Sequence, residues 1–312
     1  MKKSILVFLF LLLMLGACGP NKTEQQELVI AGDEVEKTDS ETNVRPENVI
    51  NFGVTPWQSE DKHKALFVPI LDYLSEKTGK TFVLNVAPDY QSLQQDMVQG
   101  KIDLTVFSPG VFAESKDKVK YIATTSRKYG ENEYREYYNG YIVALKSSSA
   151  NELNDLQGRT IGFVDRASAS GYKYPMALIL KNGITPKTFF KDIFFLGSHT
   201  AVAEAIANQK VEAGAVGSDV YERSITQYGD IFKIICKTPP IPSDALAAGA
   251  HVSDDFIDTV REILVNTQYN TQNEQGSPIY TVPNNISGFV VIDASIYDVI
   301  TESSELLKKL EE

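Results

Sequence analysis

From residue 49 onward the chain alternates short apolar runs with stretches whose apolar residues recur at intervals of three and four. That rhythm predicts strands interleaved with amphipathic helices. Residues 49–54 read as a strand. Leu66, Phe67, Ile70, Leu71 and Leu74 then share one side of a helix that starts near residue 66, carries Pro69 in its first turns and stops at Thr78-Gly79. A strand over 82–86, a short helix over 91–99 closed by Gly100, and a strand over 102–107 follow, the last running into Ser108-Pro109-Gly110. Residues 121–126 and 138–145 read as strands on either side of a polar, aromatic loop. After a hydrophilic stretch at 147–157 the alternation restarts: strand to 164, helix 172–182, strand 192–196, helix 201–208, strand 213–216, helix 220–228 and an apolar run at 231–236. Thr238-Pro239-Pro240-Ile241-Pro242 reads as a fixed extended connection, because its prolines remove the donors that a central strand requires. Beyond it lie a returning strand at 245–250, a helix at 256–265 capped by Ser253-Asp254-Asp255, and a terminal helix at 302–310.

Two such units in succession predict an α/β protein of two lobes, each a mostly parallel sheet flanked by helices, joined by a two-strand hinge. The expected division is lobe 1 from residues 49–145 and 243–312, lobe 2 from 146–237, and a hinge connection at 238–242. The cleft of such a body opens and closes around a solute.

The first residues are of another kind. Met1-Lys2-Lys3, an apolar run at 5–15 too short to cross a bilayer, and Leu15-Gly16-Ala17-Cys18 form a bacterial lipoprotein signal. Residues 1–17 are expected to be removed as a signal peptide, and Cys18 to carry lipid on its sulfur and anchor the chain to a membrane surface. The acidic, polar stretch 18–48 reads as a disordered tether. With Cys18 lipidated, Cys236 has no partner for an internal disulfide and reads as a small core residue. A formal net charge of −11 argues against nucleic acid as a partner and requires that any anionic ligand be captured by local donors. His63, His199 and His251 are scattered, no metal motif stands among them, and no cofactor motif of the GxGxxG or GxxxxGK[ST] type is present.

Candidate chemistry gathers at element ends. Asp165-Arg166-Ala167-Ser168-Ala169-Ser170-Gly171 joins a strand to a helix, so backbone N–H groups, the hydroxyls of Ser168 and Ser170 and the positive helix end face one gap. Either an anion seat or an ordinary helix cap explains it. Tyr90, Ser108 and Tyr138 lie at the ends of other elements. His199, after Gly197-Ser198 at a helix start, suits a neutral donor to an anion or a simple cap. Asp219 and Asp244 sit oddly beside an anion and fit an ammonium group, ligand hydroxyls or a protonated oxygen, or serve as caps. Ser168, His199 and an aspartate supply the residue types of a hydrolytic triad, but Ser168 is not in a G-x-S-x-G elbow.

Residues 49–265 resemble the periplasmic phosphonate, phosphite and phosphate binding components of ABC importers, which have the two-lobed type II periplasmic binding protein fold. The resemblance is carried by Phe52-Gly53, Tyr90 with Gly100-x-x-Asp103, Ser108-Pro109, Tyr137-Tyr138, Asp155-Leu156-Gln157-Gly158, Ser168 to Gly171 followed by Pro175, Gly183-Ile184, Gly197-Ser198-His199 and Ile241-Pro242-Ser243-Asp244. It implies capture without turnover, and docking of a monomer on an ABC permease. It implies a ligand-binding set of Tyr90, Ser108, Tyr138, Ser168, Ala169, Ser170, His199, Asp219 and Asp244 around a small phosphorus oxyanion, with Asp219 and Asp244 placed for an amine where the ligand has one. Ala169 stands where the family usually has threonine, and Phe112 where it often has tyrosine, which puts the solute in question. A sensor that signals to a membrane kinase and an enzyme on the same scaffold are the alternatives.

Overall fold

The computed structural model describes residues 48–129, 133–281 and 286–311. The signal peptide, Cys18 and all of the tether but its last residue lie outside the described residues. In chain order the strands are β1 (Val49–Val54), β2 (Thr81–Val86), β3 (Leu104–Phe107), β4 (Val119–Tyr129), β5 (Glu133–Arg135), β6 (Tyr137–Leu145), β7 (Thr160–Phe163), β8 (Asp192–Phe195), β9 (Ala213–Gly217), β10 (Phe232–Pro242), β11 (Ala245–Gly249) and β12 (Gly288–Val290). The helices are α1 (Glu60–Thr78), α2 (Tyr90–Val98), α3 (Pro109–Ser115), α4 (Tyr174–Lys181), α5 (Pro186–Phe189), α6 (His199–Ala207), α7 (Ser218–Tyr228), α8 (Asp254–Val265) and α9 (Asp298–Glu311).

The strands form two sheets, ordered β12-β4-β11-β3-β1-β2, with β5 on β4, and β10-β6-β9-β7-β8. Each has a parallel trio, β3-β1-β2 and β9-β7-β8, completed by antiparallel strands. The sheets are therefore more mixed than the alternation suggested, because the strands that carry the chain between lobes enter reversed: β11 lies antiparallel to β3 and β4, and β6 to β9 and β10.

Three boundaries differ from those expected. β6 belongs to the second sheet, between β9 and β10, so the first crossing lies near Glu136 rather than after residue 145. A strand that reads equally well in either sheet goes where partners flank it on both sides. The prolines of 238–242 lie within β10 rather than in a free connection. β10 is an edge strand with register shifts against β6, where missing donors cost least. The second crossing is then at Ser243-Asp244, and the Ser243 N–H donates to the Glu136 carbonyl at 2.7 Å, tying the two crossings together. Finally, α9 packs against both α3 and α4 and buries Leu307 among second-lobe residues such as Met176 and Ala177, so the C-terminus is not purely first-lobe.

α1 starts earlier than residue 66, with Ser59 as N-cap and Glu60 and Asp61 in the first turn, where acids favour the helix dipole. Pro69 consequently falls inside the helix, and the Ala65 carbonyl that it deprives of a donor accepts from Thr281 Oγ1 at 2.7 Å. Phe52, Leu66 and Leu104 centre one apolar cluster in the first lobe, and Ile142, Phe163 and Ile179 centre another in the second. A third runs through both lobes, from Phe107, Phe112 and Tyr297 to Val164 and Val202.

The lobes meet closely. A Cβ on Gly110 of α3 would lie 2.0 Å from the Ala167 carbonyl oxygen of the second lobe. Beside it the buried Lys173 Nζ donates to the Gly110 carbonyl at 3.3 Å and to Glu114 at 2.5 Å, and the His199 N–H donates to the Trp57 carbonyl at 3.1 Å. Gly110→Ala is expected to wedge the lobes apart and raise the radius of gyration in small-angle scattering; an unchanged scattering curve would show that the contact does not limit closure.

Candidate functional site

The site forms where strands of the parallel trios end and helices begin, the usual ligand position in such sheets. Trp57 follows β1, Ser108 caps α3 after β3, Ser168 and Ser170 follow β7, His199 opens α6, and Asp219 lies in the first turn of α7 after β9. Tyr90 opens α2, Tyr138 lies at the start of β6, Arg127 near the end of β4, and Asp244 in the second crossing. These side chains line one cavity.

Eight of the nine residues expected from sequence thus converge. Ala169 does not line the cavity; its side chain is buried in the apolar cluster shared by the lobes. Phe112 is also removed from it, packed edge-on against Tyr297 at 4.7 Å. Tyr138 stands on the second lobe with Ser170, not on the first lobe with Tyr90, as follows from the sheet that β6 joins. Trp57, at the end of β1, lines the cavity besides the expected set. Arg127 and Arg223 were missed. The available signal for Arg127 was a cation, followed by Lys128, at the end of a run, 121–126, that is otherwise apolar or small and hydroxylated.

The serine segment is not a plain helix start. Residues Ala169–Lys173 form a π-helical turn that leads into α4, capped by Ser168, whose Oγ accepts from the Gly171 N–H at 3.1 Å. Such turns widen the backbone and recur at functional positions. The leading N–H groups of a helix have no intrahelical acceptors, so those of Ala169 and Ser170, ahead of the Gly171 N–H that Ser168 takes, are suited to a ligand. Tyr138 OH donates to Ser170 Oγ at 3.1 Å. The Ser108 N–H donates to Thr55 Oγ1 at 3.1 Å, while its buried hydroxyl has no hydrogen-bond partner among the described residues. The buried Tyr90 hydroxyl faces Ser168 without the geometry of a hydrogen bond. Buried hydroxyls without partners carry a desolvation cost that a ligand relieves.

His199 is held as a neutral donor. The Gly217 N–H donates to its Nδ1 at 3.1 Å, which assigns the ring hydrogen to Nε2, 3.5 Å from Ser170 Oγ. Burial pushes its pKa down to about 4 against the pull of Asp219. The charged groups form a chain: Asp219 Oδ2 pairs with Arg223 Nη2 at 2.9 Å, its Oδ1 lies 3.6 Å from Arg127 Nη1, and Arg127 Nη2 lies 4.0 Å from Asp244 Oδ2. The Arg127 guanidinium also sits 4.9 Å from the centre of the Tyr138 ring. Burial alone would raise the Asp219 pKa, but the two guanidinium groups outweigh it and hold the carboxyl well below the usual range. At Asp244 burial wins: with Asp219 adding to it and Arg127 opposing, the carboxyl is pushed up to about 7.

Among the described residues no group of three or more metal-ligating side chains occurs, and no helix is long and apolar enough to cross a membrane. Residues 52–297 match the sequence profile of the ABC transporter, phosphonate, periplasmic substrate-binding protein family. The chain is 24% identical over 226 residues to the phosphate-import protein PhnD of Mycolicibacterium smegmatis, spanning 69% of this chain and 70% of that protein. It is 26% identical over 230 residues to the phosphonates-binding periplasmic protein of Escherichia coli, spanning 70% of this chain and 66% of that one. The fold superposes on a binding protein component of an ABC phosphonate transporter from Pseudomonas aeruginosa with a TM-score of 0.75 and 25% identity, over 84% and 87% of the two chains. The profile covers most of the two-lobed body, site included, and the chain therefore belongs to the family of periplasmic substrate-binding proteins of phosphonate ABC transporters.

Proposed function

We propose that the cavity captures a small phosphorus oxyanion, a phosphonate or else phosphate or phosphite, for delivery to an ABC permease. The observation that carries this reading is the convergence of neutral donors on one cavity: the N–H groups that follow Ser168, the hydroxyls of Ser168 and Ser170, the Nε2–H of His199, and the hydroxyls of Tyr90 and Ser108, which have no partner among the described residues. A tetrahedral oxyanion presents several acceptor oxygens to such a shell, and a hydrogen bond to an ionised group is roughly twice as strong as a neutral one. Capture rather than turnover is supported by the His199 tautomer, since a ring that carries its hydrogen on Nε2 cannot take the Ser170 proton as a general base.

Asp244 fits this scheme in its protonated form, in which it donates to a ligand oxygen instead of repelling it. The lobes close because the closed form makes better contacts with the ligand, and solute release reverses the step. The family works outside the cytoplasm. Within that compartment, lipid on Cys18 after removal of residues 1–17 would hold this monomeric body at the membrane, where the permease is.

In calorimetric titrations with phosphate, phosphite and methylphosphonate, at least one ligand is expected to bind, and Ser170→Ala is expected to weaken it about 10- to 100-fold, the worth of a charge-assisted hydrogen bond. Equal affinity after that change would remove Ser170 from the site. The raised pKa of Asp244 also has a sign for stability. Its folded value of about 7 exceeds its ordinary value of 3.8, so the ligand-free fold holds a proton that the unfolded chain releases, and stability falls as pH rises between those values. Asp244→Asn should therefore raise the melting temperature most above pH 7, by the equivalent of a few kcal/mol at most, with the gain shrinking toward pH 4. A gain that does not depend on pH would contradict the assignment. Cys18→Ser should move the protein from the membrane fraction to the soluble fraction; continued membrane association would rule out the anchor.

A further inference from the structure

Two carboxylates and an aromatic face around one point are the elements of a cage for an organic cation. Asp219, Asp244 and Tyr138 make that arrangement here, at the edge of the cavity that also holds Ser170 and His199. The space at its centre is taken by the chain itself: the buried Arg127 guanidinium lies 3.6 Å from Asp219, 4.0 Å from Asp244 and 4.9 Å from the Tyr138 ring centre. Arg223 pairs with the far oxygen of Asp219 at 2.9 Å, so that carboxylate is already flanked by two positive charges.

We infer that Arg127 is a built-in cation that fills the subsite an ammonium-bearing ligand would need, so the protein selects simple, tail-less phosphorus oxyanions and rejects aminoalkylphosphonates. The inference rests on the reading above that the cavity takes a phosphorus oxyanion, and it narrows the ligand class within it. A ligand ammonium brought to the same place would meet the guanidinium at contact distance in a buried setting, where like charges cost most. A tail-less oxyanion meets no such repulsion, and Arg127 adds positive charge to a shell whose other donors are neutral.

The experiment is a titration series on the wild-type protein and two variants with methylphosphonate, 2-aminoethylphosphonate and n-propylphosphonate, the last matching the aminoethyl tail in length without its charge. Wild-type protein should bind methylphosphonate at least about 100-fold more tightly than 2-aminoethylphosphonate, the scale of an uncompensated buried charge. Arg127→Ala opens the cage and should improve 2-aminoethylphosphonate by about 10-fold or more while improving n-propylphosphonate less, since only the ammonium pairs with the vacated carboxylates. Arg127→Lys retains a cation and should still reject 2-aminoethylphosphonate, which keeps the test decisive if the alanine variant does not fold. The inference is overturned if wild-type protein binds 2-aminoethylphosphonate as tightly as methylphosphonate, or if Arg127→Ala improves both tailed ligands equally or neither. Those outcomes leave the oxyanion reading standing, whereas wild-type protein that binds no phosphorus oxyanion at all would bring down both.

Discussion

A buried guanidinium has to be neutralised where it lies, and Arg127 is buried at the seam between the two sheets. Its acidic neighbours come from different places in the chain, the ionised Asp219 from the first turn of α7 and Asp244 from the second crossing, so satisfying one side chain draws a second-lobe helix and a crossing segment toward the first sheet. Desolvation makes this costly, and such a group persists only when its partners are well placed. The remaining polarity of the site follows from that charge chain. Asp219 is kept ionised between two arginines, Asp244 is left with a much higher pKa, and His199 remains neutral, its other nitrogen already engaged by the Gly217 N–H.

Closure depends on the same seam. The close approach of Gly110 to Ala167, the buried Lys173 beside it and the hydrogen bond between Trp57 and His199 all join residues of opposite lobes. The crossings at Glu136 and Ser243 are bonded to each other, and Tyr297 OH donates to the Ser243 carbonyl at 2.7 Å while pairing with Thr124 at 2.9 Å, so the C-terminal segment braces the hinge. α9 lies on both lobes, a third connection besides the two crossings. In a chain of net charge −11, the proposed capture of an anion rests on the local field of oriented N–H and O–H dipoles and the Arg127 guanidinium, not on the charge of the whole.

Local pattern carried much of this architecture. Strand ends followed by Ser108, by Ser168 and Ser170, by His199 and by Asp219 were readable because an apolar run that stops at a hydroxyl, glycine or acid has a short-range cause, the capping of a helix that begins there. The resemblance of those segments to a transport family rested on the same residues and their order. Their convergence on one cavity was legible to the extent that parallel strands align their carboxyl ends on one side of a sheet.

Non-local pairing decided the rest. Nothing in 138–145 distinguishes a strand of one sheet from a strand of the other, since either environment buries it; β6 is assigned by the neighbours β9 and β10, far along the chain. The prolines of 238–242 forbid a central strand, but whether they end up in a linker or on an edge depends on which strand lies beside them. Arg127 is the sharpest case: in sequence it is an ordinary cation after a run of apolar and hydroxyl residues, and only the folded chain brings Asp219 and Asp244 within 4.0 Å of it. Helix starts, strand ends and caps are set by neighbours within a few residues and are written in the order of the amino acids. Which charges share a buried space is set by chain crossings that bring distant segments together, and no local pattern encodes it.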